Sequence, residues 1–267
     1  MSLVRYLKSQ CRRPATALAR WRVSRQPPSA TFERSDWDRS LREPSAFYLE
    51  CVRYFSHLLP PEFKHHRAYF QEHRRGFGED AFHVLWYRLL QEFKPSNFLE
   101  IGVFRGQVIS LVALWARLAR RHCEVFGISP FSPAGDSVSK YSSAVDYHQD
   151  TLANFSHFEL PPPHLLKAFS TDPEARQLVR SKPWDMIYID GNHDYEVVKS
   201  DWEVCAASLK PGGITVLDDA GLNTAYRAPS FASRGHPGPS RVADEIDRRL
   251  FHEILQVGHN RVFQRLG

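Results

Sequence analysis

Two apolar runs of this sequence end in carboxylates. Asp190 follows one run, and Asp218 and Asp219 follow the next one along the chain. If both runs are neighbouring strands of a parallel sheet, their carboxyl ends share one edge and the three side chains come together. Crowded carboxylates repel each other unless protons or a cation compensate, and Mg²⁺ prefers oxygen ligands. We therefore predict a polar site at this edge, with Asp190, Asp218 and Asp219 as candidate Mg²⁺ ligands.

A histidine stands three residues after Asp190. An imidazole titrates near neutral pH, so His193 is a candidate general base that takes a proton from an acceptor hydroxyl. A histidine in this place can instead cap a turn or bond a carboxylate, and that structural role stays open. An iron-dependent oxygenase would need two histidines beside one carboxylate, and His193 with Asp190 leaves the second histidine unidentified.

A second candidate site is the glycine-containing turn around 100–106. Glu100, Gly102 and Gly106 have the spacing E-x-G-x-x-x-G between a predicted strand and a predicted helix. Gly102 permits a sharp turn, Gly106 permits close packing, and Glu100 accepts hydrogen bonds from an amine or hydroxyls. A dinucleotide fingerprint would read G-x-G-x-x-G, and an acidic residue here repels a pyrophosphate. The turn therefore favours S-adenosylmethionine over a nicotinamide cofactor, and a purely structural turn stays open.

Alternating elements must position these residues. Short apolar runs and helical stretches alternate from residue 97 onward, which predicts a parallel sheet covered on both faces. The fold class is thus α/β, with a Rossmann-like, doubly wound, mostly parallel seven-stranded sheet, an antiparallel C-terminal strand and an N-terminal helical extension. The predicted helices span 46–59, 79–93, 108–120 and 241–249, and the predicted strands span 98–102, 124–129, 165–170, 185–190, 213–218, 251–257 and 261–266.

Two segments between these elements lack a clear pattern. The basic stretch 64–78 reads as a connector that either covers a site or is solvated surface, and we favour the surface. The stretch 228–240, rich in Gly, Pro and Ser, reads as a mobile loop before the helix at 241–249.

The basic residues are concentrated at the N-terminus. The net charge is +5, and seven Arg and Lys residues precede the first acidic residue, Glu33. Residues 1–25 could contact an anionic membrane surface through an apolar stripe, act as a transit peptide, or form a solvated tail. We divide the chain into a basic tail at 1–40, a helical cap at 41–94 and a cofactor-binding domain at 95–267.

Several classes of protein are disfavoured. No run reaches the roughly 18 to 20 apolar residues of a membrane span, and no secretory signal is present, so we expect a cytoplasmic protein, with peripheral membrane contact left open. The four cysteines form no C-x-x-C pair, which indicates reduced thiols. Outside the tail the chain is nearly neutral and lacks an N-P-P-Y-type tetrad, which argues against nucleic acid as a partner.

The segments D-G-x-H-x-Y and K-P-G-G-x-x-x-x-D-D carry a resemblance. Over residues 95–266 the chain resembles class I S-adenosylmethionine-dependent methyltransferases, and in particular the metal-dependent O-methyltransferases that act on the sugars of macrolides. The resemblance implies that Asp190, Asp218 and Asp219 hold a divalent ion. It also implies that His193 is the general base.

The same resemblance assigns cofactor contacts. It places S-adenosylmethionine against Glu100, Gly102, Gly106 and Asp190, with Ser170 near the adenine. These methyltransferases usually carry an acidic residue for the ribose where this chain has Ser129. Either Ser129 makes a weaker contact, or Asp136 in the following loop compensates, or cofactor affinity is reduced.

These observations predict a function. We expect a Mg²⁺-assisted O-methyltransferase that acts on a hydroxyl of a saccharide or glycosylated small molecule, with a homo-oligomer as an open possibility. One alternative is a non-catalytic, Rossmann-like binding protein docked to a membrane or an anionic partner, as the basic tail suggests. A less favoured alternative is an NAD-dependent oxidoreductase.

Overall fold

The centre of the structure is a mixed β-sheet. A computed structural model describes residues 14–29, 32–72, 75–132, 134, 138 and 142–267, and the predictions for residues 1–13 and for Asp136 lie outside these. The sheet in the described chain has seven strands in the order β3-β2-β1-β4-β5-β7-β6. The strands are β1 (Asn97–Ile101), β2 (Glu124–Ser129), β3 (His164–Lys167), β4 (Trp184–Ile189), β5 (Leu209–Leu217), β6 (Phe251–Val257) and β7 (Asn260–Arg265).

Strand directions follow the predicted alternation of elements. The neighbours β3, β2, β1, β4 and β5 run parallel, whereas β7 is antiparallel to both β5 and β6. The inner strands β1 and β4 are buried along almost their whole length because helices cover both faces. The predicted α/β fold class is confirmed, including the antiparallel strand at the C-terminus.

Helices flank the sheet, and the helices that precede β1 in the chain form a cap. A short 3-10 helix, Arg34–Asp36, joins the first two α-helices. The α-helices are α1 (Pro14–Ser24), α2 (Trp37–Arg42), α3 (Pro44–His57), α4 (Pro61–Glu72), α5 (Asp80–Phe93), α6 (Gln107–Leu118), α7 (Tyr147–His157), α8 (Pro173–Arg180), α9 (Tyr195–Ser208) and α10 (Pro237–Glu245).

The cap helices share one hydrophobic core with the sheet. Trp86 of α5 is buried, with its ring centroid 5.7 Å from that of Phe98 on β1 and 4.9 Å from that of Tyr188 on β4. Phe32 and Trp37 are buried in the same core, although they fall within the stretch predicted as tail. The packed part of the described chain therefore begins before residue 40. The prediction placed this boundary too late because it relied on the basic residues and gave no weight to these two aromatic residues.

Two predicted loops are partly helical. Residues 64–72 of the predicted connector belong to α4, which buries His66 and Arg67, so the surface interpretation is wrong for these side chains. Helix α10 begins at Pro237, inside the predicted mobile loop, and ends at Glu245 rather than at residue 249. Proline is tolerated in the first turn of a helix, where its missing N–H would have no partner, so Pro237 and Pro239 do not prevent this start.

Candidate active site

A cavity lies at the carboxyl ends of β1, β4 and β5. Its volume is about 440 Å³, in the range of small-molecule sites. The register of the sheet explains the convergence: Ile101 pairs with Ile189, and Ile189 pairs with Leu217. The residues that follow these three positions therefore emerge in one row. The predicted site residues that line the cavity are Glu100, Gly102, Asp190, His193, Asp218 and Asp219.

The turn after β1 requires glycine at two positions. Gly102 has φ +98°, and a Cβ atom there would lie 2.0 Å from the backbone oxygen of Asp190. Gly106 has φ +77° and is the N-cap residue of α6. Left-handed backbone and close strand contact together exclude a side chain at Gly102. The predicted sharp turn is therefore present, and Gly102 joins the ends of β1 and β4.

Glu100 has a structural partner within the turn. Its side chain is buried and Oε2 accepts a hydrogen bond from the backbone N–H of Ile109 at 3.0 Å. This bond satisfies one of the N–H groups left open in the first turn of α6. Burial raises the pKa of Glu100 to about 8, although the Ile109 N–H partly opposes that rise. The carboxyl group thus holds the turn to the helix while it lines the cavity.

Asp190 and Asp218 form a hydrogen-bonded pair. Burial and the neighbouring charge of Asp218 raise the pKa of Asp190 well above its usual value, so Asp190 carries the shared proton. Burial would raise the pKa of Asp218 too, but the charge and hydrogen bond of His259 lower it to about 2. His259 Nε2 lies 3.3 Å from Asp218 Oδ1, and despite its burial the charge of Asp218 raises the pKa of His259 to about 9.

Asp219 faces a different pair of imidazoles. Its Oδ2 lies 2.8 Å from His193 Nε2 and 3.8 Å from His236 Nε2. Asp219 has φ +52°, a left-handed conformation that is uncommon for residues other than glycine and that Asp and Asn tolerate best. The backbone is thus turned so that Asp219 Oδ2 lies beside His193 and His236, while Asp219 Oδ1 lies 3.7 Å from His259 Nε2.

The predicted Mg²⁺ ligands do not form a three-carboxylate group. Among the described residues, ligand atoms come within 4.8 Å of one another in two groups: His193, Asp219 and His236, and Asp218, Asp219 and His259. Asp190 belongs to neither group. Without an ion, a proton on Asp190 and the positive charge of His259 compensate the crowded carboxylates, and the three side chains remain predicted Mg²⁺ ligands.

Three predicted cofactor residues lie outside the lining of this cavity: Gly106, Ser129 and Ser170. Ser129 is buried at the end of β2, and its Oγ accepts the backbone N–H of Phe131 at 3.3 Å. Ser170 follows β3, and its Oγ donates to Asp201 Oδ2 at 2.9 Å. The structure therefore gives both hydroxyls partners within the protein and does not bring them together with Glu100 and Asp190.

Three cavity residues were not predicted as part of the site. His236 precedes α10, His259 lies between β6 and β7, and Glu79 precedes α5. Glu79 accepts hydrogen bonds from Tyr48 Oη at 2.6 Å and from the backbone N–H of Ser233 at 3.1 Å. The antiparallel register Leu217 with Arg261 carries His259 to the end of β5. The sequence did contain a signal for His259, because the predicted β6–β7 hairpin has this histidine in its turn.

Aromatic side chains form another wall of the cavity. Phe77 is 79% exposed, and its ring centroid lies 5.0 Å from that of Phe104 in the turn after β1. Phe82 and Trp86 of α5 line the deeper part. The predicted connector thus contributes to the site through residues 75–78, and the cavity is lined by both carboxylates and aromatic rings.

Comparison with known proteins agrees with this arrangement. Residues 99–220 match the family model described as a methyltransferase domain. The match covers the turn after β1 and both carboxylate-bearing strand ends. It confirms the prediction of a methyltransferase enzyme.

Solved structures with the same fold are also methyltransferases by name. A putative caffeoyl-CoA O-methyltransferase from Staphylococcus aureus is 15% identical with a TM-score of 0.54, over 78% of this chain and 93% of that chain. The O-methyltransferase TomG from Streptomyces achromogenes, solved with S-adenosylmethionine, is 16% identical with a TM-score of 0.52, over 89% of this chain and 100% of that chain. At this identity the likeness shows the fold.

One curated protein is similar in sequence. An uncharacterized protein of Acanthamoeba polyphaga mimivirus is 24% identical over 169 residues, which cover 62% of this chain and 67% of that protein. The name of that protein states no activity.

Proposed function

We propose that this protein transfers the methyl group of S-adenosylmethionine to a hydroxyl of a saccharide or a glycosylated small molecule. One observation carries the proposal: a single cavity contains both the Glu100–Gly102 turn and the His193–Asp219 pair. The turn is the predicted cofactor contact, and the pair provides a base. The methyltransferase domain match at 99–220 supports the same reaction class.

The acidic strand edge suits the cofactor. S-adenosylmethionine carries a sulfonium and an ammonium group, and carboxyl groups in a partly dry cavity favour nearby cations. Burial and neighbouring charge raise the pKa of both Glu100 and Asp190, so a bound cation would favour their charged forms. Gly102 keeps the backbone of β1 close to that of β4, which fixes both carboxyl groups beside the turn.

His193 and Asp219 provide the acid–base function. With the Nε2 hydrogen donated to Asp219 Oδ2, the lone pair of the imidazole lies on Nδ1. The acceptor oxygen attacks the methyl carbon, the bond from that carbon to sulfur breaks, and the hydroxyl proton passes to His193. Asp219 stabilises the imidazolium that results.

The acceptor class rests on the cavity walls. Phe77 and Phe104 offer apolar rings, and carboxyl and imidazole groups line the same cavity. A saccharide presents apolar C–H faces together with hydroxyls, so it matches a cavity lined by both aromatic and polar side chains. An aromatic acceptor is the competing class that the same wall would accept.

We further propose that Mg²⁺ assists the reaction, that the protein is cytoplasmic with peripheral membrane contact through residues 1–25, and that it forms a homo-oligomer. In the described ranges from residue 14 onward, none of the helices is both long and apolar enough to cross a membrane.

The experiment is a methyl-transfer assay with labelled S-adenosylmethionine and a panel of glycosides and catechols. We expect transfer to a glycoside, and His193→Asn should lower kcat by roughly 10² to 10⁴ while KM for the cofactor changes little. His252→Asn, at an exposed position of β6, is the matched control and should keep full activity.

Three results would count against parts of the proposal. Transfer to catechols alone would contradict the saccharide class, and a fully active His193→Asn variant would contradict the assignment of the base. Equal rates in Mg²⁺ and in EDTA would contradict Mg²⁺ assistance.

A further inference from the structure

The group His193, Asp219 and His236 has the composition of a transition-metal site. We propose that these three residues bind a divalent ion of the Zn²⁺ type. The predicted Mg²⁺ set consisted of carboxylates alone, and this site shares only Asp219 with it. Two imidazoles and one carboxylate select ions that accept nitrogen ligands, whereas Mg²⁺ selects oxygen.

The three ligand atoms already lie close together. Nε2 of His193 and Nε2 of His236 lie 2.8 Å and 3.8 Å from Asp219 Oδ2, and the two imidazole centroids are 4.4 Å apart. Ligands on one ion at about 2 Å are roughly 3 to 4 Å from each other, so small side-chain rotations are enough to place an ion between them. The three side chains are partly buried, at 15%, 15% and 31% exposure.

The backbone holds the three segments together independently of these side chains. The N–H of His236 donates to the carbonyl oxygen of Asp219 at 2.8 Å. A Cβ at Gly235 would lie 2.2 Å from that same oxygen, and a Cβ at Gly238 would lie 2.1 Å from the carbonyl oxygen of His193. Glycine is therefore required where the loop before α10 and the first turn of α10 contact the segments that follow β4 and β5. The ligands come from three chain segments that are fixed to one another.

The site opens onto the cavity. All three residues line it, so a bound ion would have protein ligands on one side and open space on the other. Three protein ligands with a vacant position is the arrangement of reactive zinc sites, whereas structural zinc sites use four ligands. A small molecule or water in the cavity supplies the remaining ligand.

Zn²⁺ at this site would affect methyl transfer, an effect that rests on the proposed function. Coordination through Nε2 of His193 leaves the proton on Nδ1, so the imidazole no longer accepts the proton of the acceptor. Zn²⁺ should therefore inhibit methyl transfer, and removal of Zn²⁺ with EDTA followed by an excess of MgCl₂ should restore it. Binding of the ion itself does not depend on the reaction.

The test is calorimetric titration of the chelator-treated protein with ZnCl₂, in the absence of cofactor and acceptor. We expect one site per chain, and a competing excess of MgCl₂ should leave the affinity unchanged. Co²⁺ provides a second readout, since its visible absorption reports nitrogen ligation. His236→Ala should weaken the affinity for Zn²⁺ at least tenfold and reduce the Co²⁺ band.

Two further variants control this test. Asp219→Asn suits the left-handed backbone and removes the carboxylate, so it should also weaken Zn²⁺ binding while the protein stays folded. His252→Ala removes an exposed histidine of β6 and should change nothing. A stoichiometric site that persists in His236→Ala, or no Zn²⁺ binding by the folded wild-type protein, would overturn the proposal.

The metal site and the proposed methyl transfer can fail independently, and the two failures give different results. A protein that binds Zn²⁺ with the expected variant pattern but transfers no methyl group would contradict the proposed reaction and keep the metal site. A protein that transfers methyl groups but binds no Zn²⁺ would contradict the metal site and keep the reaction.

Discussion

His259 and Asp218 form a buried charged pair in the cavity wall. His259 is buried between β6 and β7, and its ring contacts that of Phe82 on α5 at a tilt of 60°, with centroids 4.7 Å apart. The charge of Asp218 keeps the imidazole protonated despite its burial, and the imidazolium in turn keeps Asp218 ionised. Each charge depends on the other, because neither is stable alone in a cavity of low polarity.

This pair predicts how stability depends on pH. The pKa of His259 is about 9 when folded and 6.5 otherwise, so its contribution is complete below pH 6.5 and is lost as pH rises through about 9. Glu100, with a pKa of about 8, shifts stability in the same direction. The free energy of unfolding should thus fall between pH 6 and 9, with on the order of 3 kcal/mol due to His259.

Urea denaturation at pH 6 and pH 9 measures this fall. His259→Gln should show a smaller loss than the wild-type protein, since Glu100 still contributes but His259 does not. His252→Gln, at an exposed position, is the control and should follow the wild-type protein. The same pH dependence in wild type and His259→Gln would contradict the charged pair.

Single residues were predictable where they follow strands. Asp190, Asp218 and Asp219 stand directly after apolar runs, and the row after Ile101, Ile189 and Leu217 brings these strand ends to the cavity. Their partners were not predictable. His236 and His259 come from a loop and a hairpin turn whose contacts depend on tertiary packing, and local spacing carries no information about such contacts.

Helix α5 is an integral part of the core. Trp86 is fully buried between the cap and the sheet, where its ring meets Phe98 and Tyr188 edge to face. Trp86→Ala should lower the free energy of unfolding by roughly 3 to 5 kcal/mol, because it removes a large buried side chain and leaves a cavity. Urea denaturation monitored by circular dichroism gives this value.

Trp21→Ala provides the matched control for this element. Trp21 lies on α1 and is 54% exposed, so its loss should change the free energy of unfolding by about 0.5 kcal/mol or less. Equal effects of the two substitutions would show that α5 does not pack on the sheet as described.

Elements were predictable where their hydrophobic period is strong. The predicted helices at 79–93 and 108–120 agree closely with α5 and α6 because apolar residues recur on one face. Helix α4 was missed because its basic residues suggested a solvated connector. The start of α10 was missed because Gly and Pro usually interrupt helices, although both are compatible with a first turn.

At the scale of the whole molecule, the cap and the sheet share a single hydrophobic cluster. The cluster joins Phe47 and Trp86 of the cap to Phe98, Tyr188 and Val262 of the sheet. Regions that bury the same residues unfold together. We therefore expect one cooperative transition, although the sequence suggested a separate cap at 41–94.

Thermal unfolding followed by tryptophan fluorescence and by far-ultraviolet circular dichroism tests this expectation. Both signals should give the same midpoint, and Trp86→Ala should lower both by the same amount. Two separated midpoints would contradict a shared core and would support an independently folding cap.

The central claim is that the turn after β1 and the neighbouring strand ends bind S-adenosylmethionine. The most direct measurement is calorimetric titration of the metal-free protein with S-adenosylhomocysteine, since binding of the product requires no knowledge of the acceptor. Gly102→Ala and Gly212→Ala form a matched pair because both glycines have a left-handed backbone, at φ +98° and +78°, but only a Cβ at Gly102 meets other atoms within 4 Å.

We predict micromolar binding by the wild-type protein and by Gly212→Ala, which carries only the cost of the left-handed conformation, about 1 to 2 kcal/mol of stability. Gly102→Ala should lose binding because its Cβ would push β1 away from Asp190. Absence of binding by the folded wild-type protein, or unchanged binding by Gly102→Ala, would contradict the account.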